Sequence, residues 1–340
     1  MRLAGLAGSR RCLSKAAART DALLRHVNVR KAPDGSHYYG TSLDLGWGRV
    51  YGGQTMAQAV SAAQAAVGTE RSIHQLSGHF LKGGDVQQGI RFETDVLSHG
   101  RSFSVVHVRA LQQSERLLTL TASFQVPEIG LEHQYQEKLA REWGRPDELE
   151  DIETHMAPFA ARMPEKIRKL YSEGPIQLRP SKFIAPWDTT PSDAVRAFWL
   201  RIRGAVPDDD HAHQCLLTCG SLCLQTRVYE SCSCSFANHL HGSPSLVHRY
   251  LSDWGLLETS LLPLQTAAWI PQMQVASLSH SIHFHHPSNF RLDKQWLCHV
   301  MRSPCSSGGR GFALGEMWTE DGILVASTAQ EGLIRLRRSE

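Results

Sequence analysis

Three polar side chains interrupt otherwise apolar stretches. Asp253 lies in YLSDWGLLETSLL, Ser277 in QVASLSHSIHF, and Gln330 near the end of ILVASTAQE. A carboxylate exchanges protons, while a hydroxyl and an amide donate and accept hydrogen bonds. None of the three sits in a charged patch where solvation alone would explain it. Each also has a plain structural reading: Asp253 as a helix cap, Ser277 as an ordinary strand hydroxyl, Gln330 as an exposed strand end.

Metal chemistry has two candidates. Cys219, Cys223, Cys232 and Cys234 crowd one segment with His239 and His241, a donor set suited to zinc. Their spacing does not form paired Cys-x-x-Cys knuckles, and a cysteine-rich disordered insertion is the better reading. In His280-Ser281-Ile282-His283-Phe284-His285-His286, a strand puts His283 and His285 on one face. No acidic third ligand is near in sequence, so these histidines are expected to line a cleft, and no metal is expected. There is no G-x-S-x-G elbow, Walker loop, G-x-G-x-x-G after a strand, H-E-x-x-H or EF-hand loop. Familiar nucleotide-hydrolysing and hydride-transfer chemistries are therefore not expected.

The elements that must position these residues come as a repeat. Residues 50–67, VYGGQTMAQAVSAAQAAV, are rich in helix formers, with Gly52-Gly53 at the entry. Strand-like runs follow at 74–81, 90–97, 103–111 and 117–126, separated by turn signals at 82–85 and 98–100. Residues 134–174 are charged and proline-containing and read as a linker with short helical pieces. The second half predicts a helix over 250–264 and strands over 274–284, 296–301, 311–318 and 323–331. Gly100-Arg101-Ser102-Phe103 and Gly309-Arg310-Gly311-Phe312 open comparable hairpins. A helix followed by an antiparallel meander, twice, implies two α+β units packed as a pseudo-dimer. The segment 218–249 keeps no period of 2 or 3.6 and breaks the repeat.

Composition narrows the class. The chain has 340 residues, 41% of them hydrophobic, and a formal net charge of +3. At roughly 150 residues per domain this suggests about two domains. The charge is too small to suggest nucleic-acid binding, and no run of about 20 apolar residues predicts a membrane span. Eight unevenly spread cysteines point to a reducing compartment rather than a disulfide scaffold. The first 20 residues carry Arg2, Arg10, Arg11, Lys15 and Arg19 and no acid, the composition of a mitochondrial leader. The last four residues, Arg-Arg-Ser-Glu, are not the Ser-Lys-Leu peroxisomal address.

Across residues 51–335 the sequence resembles the acyl-CoA thioesterases of the thioesterase II type. The marks in the first half are Tyr51-Gly52-Gly53-Gln54, His79-Phe80-Leu81 with Gly84-Asp85, Gly100-Arg101-Ser102-Phe103 and Thr121-Ala122-Ser123-Phe124-Gln125. In the second half they are Tyr250-Leu251-Ser252-Asp253, His280-Ser281-Ile282-His283, Gly309-Arg310-Gly311-Phe312 and Gln330-Glu331-Gly332. The resemblance implies an α+β fold of two tandem hotdog units, each a long helix wrapped by an antiparallel sheet. The expected layout is a leader at 1–25, a first unit at 26–133, a linker at 134–175 and a second unit at 176–340 with an insertion at 218–249.

It further implies hydrolysis of acyl-CoA thioesters by an activated water, with no cofactor, and a catalytic trio of Asp253, Ser277 and Gln330. Gly52, Gly53, Gln54, Lys82, Arg101, His280 and Arg310 are the candidate substrate contacts. Acyl-CoA is the implied partner, with no nucleic acid and no membrane span. Assembly into homo-oligomers and a peroxisomal location are also implied, against the mitochondrial composition of the leader; the cytosol is the third reading. This chain reads Lys82-Gly83 where relatives carry Arg-Pro, and Ser279-His280-Ser281 where they carry Asp-His-Ser. The residues 218–249 fall directly before the proposed base. They leave a disabled acyl-CoA binder or scaffold as a rival to hydrolysis, and a hotdog enoyl-CoA hydratase stands apart as a second enzyme reading. The hydratase would want a histidine beside Asp253 on its helix, and none is there.

Overall fold

The computed structural model describes residues 20–42, 49–135, 139–162, 174–222, 255–267 and 272–336. The strands are β1 (Arg30–Lys31), β2 (Tyr38–Gly40), β3 (Ser72–Phe80), β4 (Ile90–His99), β5 (Phe103–Gln112), β6 (Glu115–Gln125), β7 (Ile176–Pro180), β8 (Val195–Ile202), β9 (Met273–Phe284), β10 (Leu297–Ser307), β11 (Arg310–Thr319) and β12 (Leu324–Leu336). The helices are α1 (Gly52–Val67), α2 (Leu139–Trp143), α3 (Ile152–Met156), α4 (Asp210–Leu222) and α5 (Leu256–Thr259). A further helical stretch spans 20–27. No described helix is long and apolar enough to cross a membrane.

All strands join one antiparallel sheet in the order β1-β2-β4-β5-β6-β3-β9-β12-β11-β10-β8-β7. The order reads as one unit followed by its mirror sequence of strands, with β3 and β9 paired at the centre and Ser77 opposite Ser281. Each unit is two outer strands, a helix and four further strands, of which the last three form a meander and the first lies beside the last, the hotdog arrangement. The repeat is therefore fuller than the sequence reading, which did not place β1, β2, β7 or β8.

Alanine, glycine and serine fill α1, and residues 53–64 are buried all round. Small side chains let the helix sit between the inner sheet face and α4. A methyl on Gly53 would overlap the Tyr51 hydroxyl and stand 2.7 Å from the Cys219 carbonyl. Tyr51 donates to that carbonyl at 2.8 Å, tying the two central helices together.

The helix of the second unit corrects the expectation. Among the described residues that unit's longest helix is α4, which lies before 250–264. Asp209 starts it, its carboxylate accepting from the backbone N–H groups of His211 and Ala212 at 3.3 and 3.1 Å. Cys215, Leu216, Leu217 and Cys219 then bury against the core. Of 250–264, residues 250–254 lie outside the described residues. The helix α5 covers only four residues and passes into turns. Residues 218–222 of the expected insertion are helical, and Thr218 and Cys219 are fully buried. Cys223, Cys232, Cys234, His239 and His241 lie outside the described residues.

The charged segment also does more than link. Leu139, with Trp143 and Leu149 beside it, covers Trp199, Trp296, Cys298, Val300 and Trp318 on the outer face of the second unit. At the amino end, Leu23 and Val27 already belong to the main core, so part of the stretch read as leader is packed.

Candidate active site

The two units can be matched residue by residue through their strand pairings. In β3 a bulge at His74 separates Ile73, opposite Phe124, from Gln75, opposite Ser123. In β9 a bulge at Leu278 separates Ser277, opposite Gly332, from Ser279, opposite Glu331. Ser277 thus stands where the first unit has Ile73, His280 where it has Leu76, and Gln330 where it has Ala122. The ladders carry the match outward: Gly332 for Phe124, Thr328 for Leu120, Gly315 for Val108 and His299 for Phe92. The first unit's inner face is hydrocarbon at these positions. The second unit has polar residues or glycine there.

The bulge explains how Ser277 and His280 come to share a face. Three residues apart on a regular strand, they would point to opposite sides. An extra residue shifts the alternation by one and re-aims what precedes it. Burial follows: Met273 and Val275 face inward before the bulge, and His280, Ile282 and Phe284 after it. Gln330 is 2% exposed, and its Nε2 donates to Ser277 Oγ at 2.7 Å. Ser277 is half-buried, so the pair meets at the edge of the closed interior. His280 lies directly opposite Gln330 in the ladder. Burial, aided by neighbouring His299, pulls the His280 pKa down to about 3, and burial alone pulls His299 down to about 4. Both imidazoles are neutral at pH 7.

The short helix α5 closes this face. A methyl on Gly332 would overlap Leu257, and one on Gly311 would overlap Ser260. The two glycines let α5 lie directly on the sheet. An ion pair between Arg196 Nη1 and Glu258 Oε2, 3.3 Å apart and about nine-tenths buried, fixes α5 to β8. Asp253 lies outside the described residues, two positions before Gly255, which precedes α5.

The remaining candidates separate into packing and surface. Gly52 and Gly53 form the first turn of α1; a methyl on Gly52 would stand 2.9 Å from the Phe80 ring. Gln54 Nε2 donates to the Thr41 carbonyl at 2.7 Å. Lys82 and Arg310 are exposed and paired with Glu115 at 3.2 Å and Glu331 at 2.8 Å. Arg101 is exposed at its hairpin, where its carbonyl accepts from Arg71. Among the described residues no three His, Cys, Asp or Glu side chains gather as a metal site. Sequence reasoning missed His299 and Thr328. Comparing the two repeats position by position is the signal that finds them.

Comparison with known proteins agrees with this architecture. The acyl-CoA thioesterase N-terminal domain family matches residues 43–125, and the corresponding C-terminal domain family matches 146–334. The chain belongs to the acyl-CoA thioesterase family. It is 33% identical to acyl-CoA thioesterase 2 of Haemophilus influenzae over 313 residues, 92% of this chain and 96% of that one. It is 28% identical to human acyl-coenzyme A thioesterase 8 over 298 residues, covering 85% and 81%. Among solved structures, acyl-CoA thioesterase II from Mycobacterium marinum superposes with a TM-score of 0.66 at 25% identity, covering 92% of this chain and 98% of that one. A hot dog protein from Alicyclobacillus acidocaldarius shares the fold, with a TM-score of 0.64 at 18% identity over 93% and 99%.

Proposed function

We propose that this protein hydrolyses acyl-CoA thioesters to a free carboxylic acid and coenzyme A, using Asp253, Ser277 and Gln330. The observation that carries the assignment is the Gln330–Ser277 hydrogen bond on the inner face of the second unit. The bond sets the amide of Gln330 and the hydroxyl of Ser277 side by side, two groups that each donate and accept, so the pair can hold and aim one water. Asp253 takes a proton as that water's oxygen bonds to the thioester carbon. The carbonyl electron pair moves onto oxygen. When the carbonyl re-forms, the C–S bond breaks and the thiolate leaves with the pair, later taking the proton. A thiol pKa near 8.5 makes that departure easy with little acid help. Exposed Lys82, Arg101 and Arg310 are the proposed contacts for the coenzyme A phosphates. The Arg-rich, acid-free stretch 1–20 supports a mitochondrial location, tested by fusing residues 1–30 to a fluorescent reporter.

Asp253→Asn tests the base. Thiol release from acyl-CoA should fall by about 10²–10⁴ while acyl-CoA affinity is retained; full activity in the variant removes Asp253 from the mechanism. A second arm deletes residues 223–249, sparing Thr218–Leu222 because they belong to α4. Release by the full chain and the deletion alike makes the segment a tolerated loop. Release by the deletion alone makes it inhibitory. Binding without release by either identifies an acyl-CoA binder.

A further inference from the structure

The hydrolysis proposed above needs two things: a held water and donors for the oxygen that turns negative. The trio supplies the first. His299 on β10 and Thr328 on β12 are 1% and 3% exposed and lie on the same inner face. His299 Nε2 and Thr328 Oγ1 have no hydrogen-bond partner among the described residues. Both face one point. A methyl on Gly315, between them on β11, would overlap each, and Leu256 Cδ1 would stand 3.1 Å from it. Gly315 carries no side chain, so the two polar atoms converge over its backbone. Thr328 precedes Gln330 by two residues, so it projects from the same face about 6–7 Å along the strand. Where this unit has His299, Gly315 and Thr328, the first unit fills the space with Phe92, Val108 and Leu120.

We propose that His299 Nε2–H and the Thr328 hydroxyl form the oxyanion hole, receiving the thioester carbonyl oxygen between them. The inference rests on the hydrolase reading. The chemistry of the two groups fits one ligand atom: a carbonyl oxygen accepts two hydrogen bonds, and a neutral imidazole and a hydroxyl each donate one. His299 is buried in its neutral form, as a donor that must not surrender its proton requires. The donors are fixed on β10 and β12, on either side of β11, before substrate arrives, so they strengthen as charge develops and need no rearrangement.

The test compares wild type, Asp253→Asn, His299→Phe, Thr328→Val and Thr328→Ser by thiol release from acyl-CoA. Thr328→Val keeps the shape and removes the hydroxyl; Thr328→Ser keeps the hydroxyl. His299→Phe and Thr328→Val should each lose about 10²–10³ in kcat with KM within about threefold, and Thr328→Ser should stay near wild type. Unchanged kcat in a folded Thr328→Val, or a rise in KM alone, overturns the oxyanion hole and leaves the two as structural groups. If His299→Phe does not fold, the near-isosteric Thr328→Val and Thr328→Ser pair still decides. Absence of release by wild type is a different failure: it removes the hydrolase reading and the oxyanion hole with it.

Discussion

The two units share a topology, a bulge at the same place and a central helix, yet their interiors differ. Ile73, Leu76, Phe92, Leu120, Ala122 and Phe124 close the first unit, all at most 1% exposed. The second unit carries polar groups or glycine at the matching positions, and two of these atoms, His299 Nε2 and Thr328 Oγ1, have no partner among the described residues, at a cost of about 1–3 kcal/mol each. The first unit is built as a stable hydrocarbon interior. The second gives up part of that stability to hold polar groups, which on the proposed reading a substrate satisfies. The helices follow the same division. In the first unit α1 runs unbroken through 16 residues. In the second, α4 is followed by the residues 223–254, with α5 beyond them.

Giving the second unit the first unit's residues is the sharpest way to break this comparison. Gln330→Ala, with Ser277→Ala beside it, should lower kcat by about 10²–10³, because the water loses its two orienting partners. The reverse exchange, Ala122→Gln, should leave turnover near wild type and destabilise the fold by about 1–3 kcal/mol, since it buries an amide with no partner. Thiol release and chemical denaturation read the two arms. Retained turnover in the double alanine variant would mean the asymmetry is not catalytic.

A smaller effect comes from how closely the helices approach. In the second unit, a methyl on Gly332 meets Leu257 and lies 2.9 Å from the Ala276 carbonyl, a backbone atom that cannot swing aside. In the first unit, the nearest neighbours of a methyl on Gly78 are Met56 at 3.3 Å and Leu118 and the Thr119 carbonyl at 3.4 Å. Gly332→Ala should therefore cost about 1–3 kcal/mol, and Gly78→Ala less than about 1 kcal/mol because its side-chain neighbours can shift by a few tenths of an ångström. Melting temperatures of the two variants compare the packing directly. Equal losses would mean that α5 is not held against the sheet by the missing side chain.

How far the sequence shows all this depends on periodicity. The helix α1 and the first meander are legible, since alternation and turn residues agree there. The pair Ser277 and Gln330 stands out as polar residues on apolar strands. The bulge at Leu278 is not legible. A continuous period of 2 through QVASLSHSIHF assigns Ser277 and His280 to opposite faces, and only the pairing with β12 shows the shift. The strand β8, VRAFWLRI, is covered on both faces, by the main core and by the Trp199 cluster, so alternation is lost. Its neighbour α4 begins in an acidic run and passes through Thr218, Cys219, Gly220 and Ser221 near its end, residues whose helix propensity is weak. Packing against α1, rather than propensity, makes it a helix.

The smallest expected effect is a pH dependence confined to the second unit. His280 and His299 have folded pKa values of about 3 and 4, below the ordinary 6.5. Below pH 6.5 the unfolded chain takes up protons that the folded one refuses, so folding loses stability as pH falls toward 4. The contribution is complete above pH 6.5. The first unit has Leu76 and Phe92 at these positions and nothing there to titrate. Between pH 7 and pH 6 the two histidines together should weaken folding by about 1 kcal/mol. Urea denaturation of wild type and of His280→Leu/His299→Phe at both pH values measures this. The variant should show the shallower dependence. An identical slope in both would place the acid sensitivity elsewhere in the chain, and the two inner faces would then differ in hydrogen-bonding capacity but not in protonation.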